Sequence, residues 1–179
     1  MPSPAKRGGK SGEVALLGIF VAYALVISLI ERTIPLSFSI PGIRLGLANV
    51  VVLMAMYLFP LPRAFLLMVV KCLMAAMFAG SPTALFYALG GSLLSFAVMA
   101  ALILLLREHI SPVGVSVAGA AFHNIGQVLV ACLVLKSWVV LLYLPALLLI
   151  GIVTGALIGI LVLRVRPSLE AFLGMGRGA

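Results

Sequence analysis

The sequence predicts an all-α integral membrane protein with six transmembrane helices. Of its 179 residues, 64% are hydrophobic and only 9% are charged, and the mean hydropathy is +1.33, whereas soluble domains carry about 25% charged residues. The apolar residues form long continuous runs, without the alternation of apolar and polar residues that membrane β-strands show over about ten residues. A helical bundle is therefore the predicted way of satisfying the backbone in lipid.

Six apolar runs are the candidate spans. A spanning helix needs roughly 17 to 25 residues, so the second and third runs are short and must borrow flanking residues. The runs cover residues 14–30, 45–59, 64–79, 83–106, 112–135 and 138–163.

The basic residues predict that both termini are cytoplasmic. With the N-terminus inside, the inner segments hold eight lysines and arginines and the outer segments hold three. The inner ones are Lys6, Arg7, Lys10, Arg63, Arg107, Arg164, Arg166 and Arg177, and the outer ones are Arg32, Arg44 and Lys136. We expect a disordered basic tail at 1–12, a transmembrane domain at 13–165 and a cytoplasmic tail at 166–179. The net charge of +8 then reflects this topology and contact with anionic lipid headgroups, and nucleic acid is not an expected partner.

The acidic residues and the cysteines argue against an enzyme. There is no aspartate, and the four glutamates, Glu13, Glu31, Glu108 and Glu170, lie in different segments. A magnesium-dependent transferase acting on diphosphates needs clustered carboxylates. The chain also lacks a phosphate-binding P-loop and a G-x-S-x-G nucleophile motif, and its two cysteines have no metal-ligand spacing. We expect no catalytic site, metal or cofactor, and ATP-driven work would fall to a partner.

Polar residues inside the spans are the candidate functional residues. Lys71 and His123 lie about 10 to 16 Å from the ends of their runs at ~1.5 Å per residue. Gln127 follows His123 by four positions, on the same helix face, and Asn124 lies beside them. An ionisable residue inside the bilayer predicts a functional role, although polar residues there also serve as hydrogen bonds between helices.

A second group of polar residues lies near the predicted outer surface. Glu31 ends the first span, Arg44 begins the second, and Asn49 lies one to two turns deeper. The connection is rich in proline and glycine, which is typical of a structured turn. We predict a polar pocket between the outer face and the middle of the membrane; the alternative is that Glu31 and Arg44 form a structural ion pair.

Small residues predict two close helix contacts. Ala15, Gly18 and Ala22 lie at spacings of three and four in the first span, and the last span carries Gly151, Gly155 and Gly159. Such surfaces let another backbone approach. For the last span, packing within the bundle is the favoured interpretation.

Four blocks carry a resemblance to a known family. They are "IPGIRLGLANVVVL" at 40–53, "GSPTALFYALGGSLLSFAVM" at 80–99, "GVSVAGAAFHNIGQVLVA" at 114–131 and "LPALLLIGIVTGALIG" at 144–159. These blocks resemble the Gx transporter family, also called heptaprenyl diphosphate synthase component I, which is related to the substrate-binding S components of energy-coupling factor (ECF) transporters. The resemblance extends from the first span to residue 163.

The resemblance implies an S-component-like bundle in the plasma membrane of a prokaryote, with a pocket open to the outside. It also implies that Ala15, Gly18 and Ala22 dock onto a transmembrane coupling subunit driven by two ATPases. Here the match is to a loose pattern, because Gly18 stands where alanine is typical of such surfaces. Fold similarity does not identify the ligand.

The residues suggest the ligand class. Arg44, Lys71 and a protonatable His123 are opposed by Glu31, which favours a carboxylate or phosphate. Aromatic side chains that could accept a ring or prenyl tail are Phe86, Tyr87, Phe96 and Phe122. The expected substrate is a small anionic or amphipathic molecule, isoprenoid- or quinone-related. The full predicted binding set is Glu31, Arg44, Asn49, Lys71, His123, Asn124 and Gln127.

Two other functions remain open at this point. The chain could be a non-catalytic membrane accessory of prenyl diphosphate or quinone synthesis, with a soluble prenyl synthase as its partner. It could also be a stand-alone facilitator, which would move substrate across liposomes that contain no ATPase.

Overall fold

The structure is a computed structural model that describes residues 10–33, 46–80, 82–106 and 109–174. Within these ranges the regular structure is entirely helical, which confirms the predicted fold class. The α-helices are α1 (Lys10–Thr33), α2 (Asn49–Leu58), α3 (Leu61–Ala79), α4 (Pro82–Leu106), α5 (Pro112–Leu135) and α6 (Leu144–Phe172), and a 3-10 helix (Trp138–Tyr143) leads into α6.

Five of the described helical segments are long and apolar enough to cross a membrane. Their outer surfaces expose large apolar side chains such as Leu105, Met77 and Leu142, as expected for helices that face lipid. The chain is thus a multi-pass membrane protein. Which side holds each terminus stays a prediction from the charge distribution.

The second predicted span is shorter than expected. α2 has 10 residues, which is roughly 15 Å of helix against a hydrocarbon core of about 30 Å. Gly46 to Ala48 form a turn before it, and Phe59 adopts an extended conformation after it, as a residue preceding proline prefers. Eight of its ten residues are buried, so α2 lies inside the bundle with little surface for lipid.

The ends of the other helices follow from local sequence. Gly80, with a φ of 62°, ends α3 in the left-handed conformation that glycine adopts without strain. The Ser111 hydroxyl accepts a hydrogen bond from the Gly114 amide and caps α5. α6 continues to Phe172, past the predicted domain boundary at residue 165. There Arg166 pairs with Glu170 at 2.6 Å and lies 4.4 Å from the centre of the Tyr57 ring.

Glycines bring α5 close to both of its main neighbours. A Cβ added at Gly126 would lie 2.5 Å from the Gly90 carbonyl oxygen of α4, and one at Gly155 would lie 2.9 Å from the Val117 Cα. Gly159 is similarly close to Val113. The small residues of α6 therefore pack within the bundle, as predicted. α4, α5 and α6 form a tightly packed layer, α2 and α3 lie against it, and α1 packs on α2 and α3.

Candidate functional site

A small polar cavity lies where the layer of α4 and α5 meets α1, α2 and α3. Its volume is about 30 Å³. It is lined by Ser28, Glu31, Gly46, Ala48, Lys71, Cys72, Ala75, Ala88, Ser92, His123 and Gln127. Four of the seven residues predicted to bind substrate therefore line the same cavity, although they come from three different helices.

Glu31 connects the end of α1 to the start of α2. Its Oε1 accepts a hydrogen bond from the Gly46 amide at 2.6 Å, and the carboxylate is buried. Gly46 has a φ of 78°, and a Cβ there would lie 2.9 Å from Asn49 Nδ2 and 3.0 Å from His123 Cδ2. The position consequently requires glycine on two grounds, its backbone conformation and its close approach to the imidazole.

Lys71 reaches the first turn of α2. Its Nζ donates a hydrogen bond to Asn49 Oδ1 at 3.1 Å, and both side chains are buried. Burying an ammonium group is costly unless partners compensate for the lost water. Asn49 does not line the cavity itself but holds the charged group that does.

His123 and Gln127 form a pair along one face of α5. The Gln127 amide nitrogen lies 2.5 Å from His123 Nε2, in a hydrogen bond. On the α4 side, a Cβ added at Gly91 would lie 2.7 Å from Gln127 Cγ and 2.9 Å from His123 Nδ1. The imidazole is therefore held between two glycines, Gly46 and Gly91, which leaves it little room to rotate.

Cys72 and Ser92 complete the wall between α3 and α4. The thiol Sγ lies 3.4 Å from Ser92 Oγ and 3.7 Å from the Ala88 carbonyl oxygen. Both side chains are buried. They contribute a hydroxyl and a thiol to a wall that also presents the Lys71 ammonium group.

Of the predicted site residues, Asn124 and Arg44 have, like Asn49, no described place in the cavity lining. Asn124 faces α6, where its Nδ2 donates to the Leu147 carbonyl at 2.7 Å, and within the described part of the chain its Oδ1 has no hydrogen-bond partner. Asn124 therefore connects α5 to α6 by a hydrogen bond. Arg44 lies outside the described residues, so its place in the site remains a prediction.

The sequence interpretation also missed several lining residues, among them Ser28, Gly46, Cys72 and Ser92. A signal existed for Ser28, because it precedes Glu31 by three positions and so lies on the same helix face. Nothing comparable distinguished Cys72 or Ser92, since their orientation depends on how α3 and α4 pack.

The aromatic residues proposed for a ring or a prenyl tail lie away from the cavity lining. Phe86 and Phe122 are exposed on the outside of the bundle, whereas Tyr87 and Phe96 are buried in its apolar core. Phe96 packs edge-on against Phe65, with 5.5 Å between the ring centres. These aromatics therefore belong to the packing and to the lipid-facing surface.

The small residues of α1 lie on an open surface. Ala15, Gly18 and Ala22 are all exposed, and a Cβ at Gly18 would have no neighbour within 4 Å. Tyr23 and Val26 beside them are exposed as well. The surface is free for another helix within the described protein, and its partner remains a prediction.

The cavity presents charged and hydrogen-bonding groups from several helices. Its charged side chains among the described residues are Lys71 and Glu31, and His123 adds a titratable ring. The residues that the structure describes include no group of three histidines, cysteines or acidic residues suited to a metal ion. What the arrangement can do is bind a polar or charged group by hydrogen bonds from several helices at once.

Comparisons with known proteins connect this chain to a protein family. Neither the curated proteins nor the solved structures that were compared match this chain. A family model described as heptaprenyl diphosphate synthase component I matches residues 20–165. Because the match covers most of the chain, the chain belongs to the heptaprenyl diphosphate synthase component I family.

Proposed function

We propose that this protein is the substrate-binding membrane component of an ECF-type importer, not an enzyme, and that its substrate is a small anionic or amphipathic organic molecule. The observation that carries the proposal is the burial of Glu31, Lys71 and His123 around one cavity inside a membrane bundle. Charged groups in such a place are expensive, and they usually mark substrate or ion pathways.

The arrangement of donors supports an anionic substrate. Among the described residues, Lys71 Nζ has one hydrogen-bond partner, Asn49, although an ammonium group carries three donors. The first turn of α2 also begins near this cavity, where the helix dipole favours negative charge, although the amides of Asn49, Val50 and Val51 already donate to the carbonyls of residues 46–48. A carboxylate or phosphate would accept the remaining hydrogen bonds of the Lys71 ammonium group.

The small volume of the cavity means that it must widen when an organic substrate binds. A volume of about 30 Å³ holds little more than a water molecule, whereas pockets for organic ligands measure about 300 to 1,000 Å³. The described conformation is therefore closed, and binding must widen the cavity. An amphipathic substrate would place its polar head there and direct its apolar part along the helices toward lipid.

The exposed small residues of α1 support a partner in the membrane. Ala15, Gly18 and Ala22 would accept a helix of a transmembrane coupling subunit, and two associated ATPases would supply the energy that a chain without a P-loop cannot. Substrate release would then follow from movement of the loaded bundle against that subunit. Such a shift requires the partner to contact the two states differently.

Native mass spectrometry of the gently purified protein tests the proposal. We expect a retained organic anion that is lost in His123→Ala and Lys71→Ala, while both variants stay folded. Asn124→Ala is the matched control, because that side chain is equally buried but faces α6. Retention of the same molecule by both cavity variants would overturn the proposed site.

The family match favours a second candidate. Its description names one component of a prenyl diphosphate synthase, so the chain could instead assist a soluble synthase without catalysing the reaction. That role predicts a stable complex with the synthase and a change in its product length or rate. An empty membrane chain that co-purifies with a synthase would favour this candidate over the importer.

A further inference from the structure

We infer that Glu31 occupies the place of a ligand carboxylate, and that the substrate binds by displacing it from the Gly46 amide. This inference rests on the proposed function, because it names the chemical group that the cavity recognises. It is carried by the buried Glu31–Gly46 hydrogen bond and by the buried ammonium group of Lys71 on the same wall.

The first step is that Glu31 satisfies a donor that belongs to the start of α2. The amides before and within the first turn of a helix have no partner inside the helix. Here the Gly46 amide is satisfied by a carboxylate 15 residues earlier in the chain, at 2.6 Å. Any carboxylate placed at this position would make the same bond.

The second step concerns charge. Lys71 and Glu31 are the oppositely charged lining residues that the structure describes, and both are at least nine-tenths buried. A second carboxylate entering beside Glu31 would meet a like charge in a poorly solvated site, which is unfavourable. One carboxylate replacing another leaves the charge of the cavity unchanged, so exchange is favoured over addition.

The third step concerns space. The cavity of about 30 Å³ is too small for an added carboxylate with its carbon chain, but withdrawal of the Glu31 side chain would free the volume of one such group. A diphosphate is larger and brings more negative charge to a site where Lys71 is the cation among the described lining residues. The geometry therefore points to a substrate that ends in one carboxylate.

Displacement would also open the cavity. Glu31 belongs to the last turn of α1, and Gly46 leads into α2, so their hydrogen bond joins these two elements across the cavity. When the ligand takes the amide, this hydrogen bond is lost, while α1 keeps its packing against α2 and α3 and α4, α5 and α6 stay held by their glycine contacts. Binding would thereby loosen the contact between the end of α1 and the start of α2.

Acetate rescue of Glu31→Ala tests this inference on the full-length protein in detergent. The substitution deletes a CH2 and a carboxylate, and acetate restores a methyl group and a carboxylate, so its size fits. The probe is sodium acetate at pH 7, titrated against sodium chloride at equal ionic strength, and the readout is the midpoint of thermal unfolding. We expect acetate to stabilise Glu31→Ala with a half-saturating concentration at least about tenfold lower than for the wild type, since only a ligand that prefers the folded state raises the midpoint.

Three controls make the result specific. Acetamide, which has the same shape without the charge, should not stabilise Glu31→Ala, and acetate should lose its effect when Lys71→Met is added. Glu170→Ala also removes a carboxylate bonded at 2.6 Å, but from the partly exposed pair with Arg166, and should show no acetate effect beyond that of the wild type. If Glu31→Ala does not fold, Glu31→Gln keeps an acceptor for Gly46 without the charge, and it should bind acetate more tightly than the wild type.

The outcomes separate this inference from the proposed function. Equal acetate effects in wild type and variant, no effect in either, or stronger rescue by inorganic phosphate would each overturn the exchange of carboxylates. Rescue by acetate in a protein that retains no organic molecule and associates with no coupling subunit would support the exchange and count against the importer. A retained substrate together with a failed acetate rescue would support the importer and count against the exchange of carboxylates.

Discussion

At the scale of single residues, neighbours in the sequence have different roles because successive side chains of a helix point about 100° apart. His123 and Gln127, four positions apart, share the face that lines the cavity, whereas Asn124 points to α6. The pairing of the first two could be predicted from spacing. The orientation of Asn124 could not, because it depends on where α6 packs.

Asn124→Ala tests whether Asn124 connects α5 to α6 without binding the ligand. The change removes the hydrogen bond to the Leu147 carbonyl and an amide oxygen that has no partner among the described residues. We expect the free energy of unfolding in detergent to fall by about 0.6 kcal/mol and at most about 1.7 kcal/mol, the range for polar contacts between membrane helices. Ligand retention should be unchanged. If the variant loses the ligand, Asn124 belongs to the binding site after all.

At the scale of helices, apolar runs predicted the long elements well and the short one poorly. The run at 112–135 coincides with α5, and the run at 83–106 differs from α4 by one residue. The run at 45–59 remains apolar through residues that form a turn before α2. In that turn the Gly46 amide bonds Glu31, a tertiary contact that an apolar run does not reveal. α6 extends past its apolar run because Arg166 finds partners in Glu170 and Tyr57.

Gly126→Ala tests the contact between α4 and α5. The added Cβ would lie 2.5 Å from the Gly90 carbonyl oxygen and 2.9 Å from the Gly91 Cα. These are backbone atoms, so the helices must separate, and we expect a loss of about 1 to 3 kcal/mol in the free energy of unfolding. The same shift would move Gly91 away from His123 and weaken ligand retention.

Gly18→Ala is the matched control, since it adds the same methyl group to another membrane helix. Its Cβ would have no neighbour within 4 Å, so stability should be unchanged or higher by up to about 1 kcal/mol from helix propensity. Equal stability of the two variants would mean that α4 and α5 do not approach as closely as described.

At the scale of the whole molecule, the cavity lies at the boundary between the layer of α4, α5 and α6 and the group formed by α1, α2 and α3. α5 contacts α4 and α6 through glycines over most of its length, so that layer cannot open without breaking backbone contacts. On the other side of the cavity, Glu31 of α1 bonds the Gly46 amide, and Lys71 of α3 bonds Asn49 of α2. Opening of the cavity is therefore expected on the side of α1 and α2.

The number of membrane crossings depends on whether α2 spans the membrane. Five long helices alone would place the termini on opposite sides, whereas the distribution of lysine and arginine predicts both in the cytoplasm. The two findings agree only if α2, together with residues that flank it, completes a sixth crossing. A short buried helix can do so because neighbouring helices, not lipid, surround it.

Labelling of single cysteines with a membrane-impermeant maleimide decides this point. In a background carrying Cys72→Ala and Cys132→Ala, we expect Ser137→Cys, between α5 and the 3-10 helix, to react in intact cells. Ser3→Cys and the exposed Ser168→Cys should react only after the membrane is permeabilised. If Ser3→Cys and Ser168→Cys instead differ, the number of crossings is odd and α2 does not cross. With the N-terminus inside, the cavity at the start of α2 would still lie on the outer side, but the basic residues at the end of α6 would lie outside against the charge rule. With the N-terminus outside, the cavity would open to the cytoplasm, the side opposite to the one an importer needs.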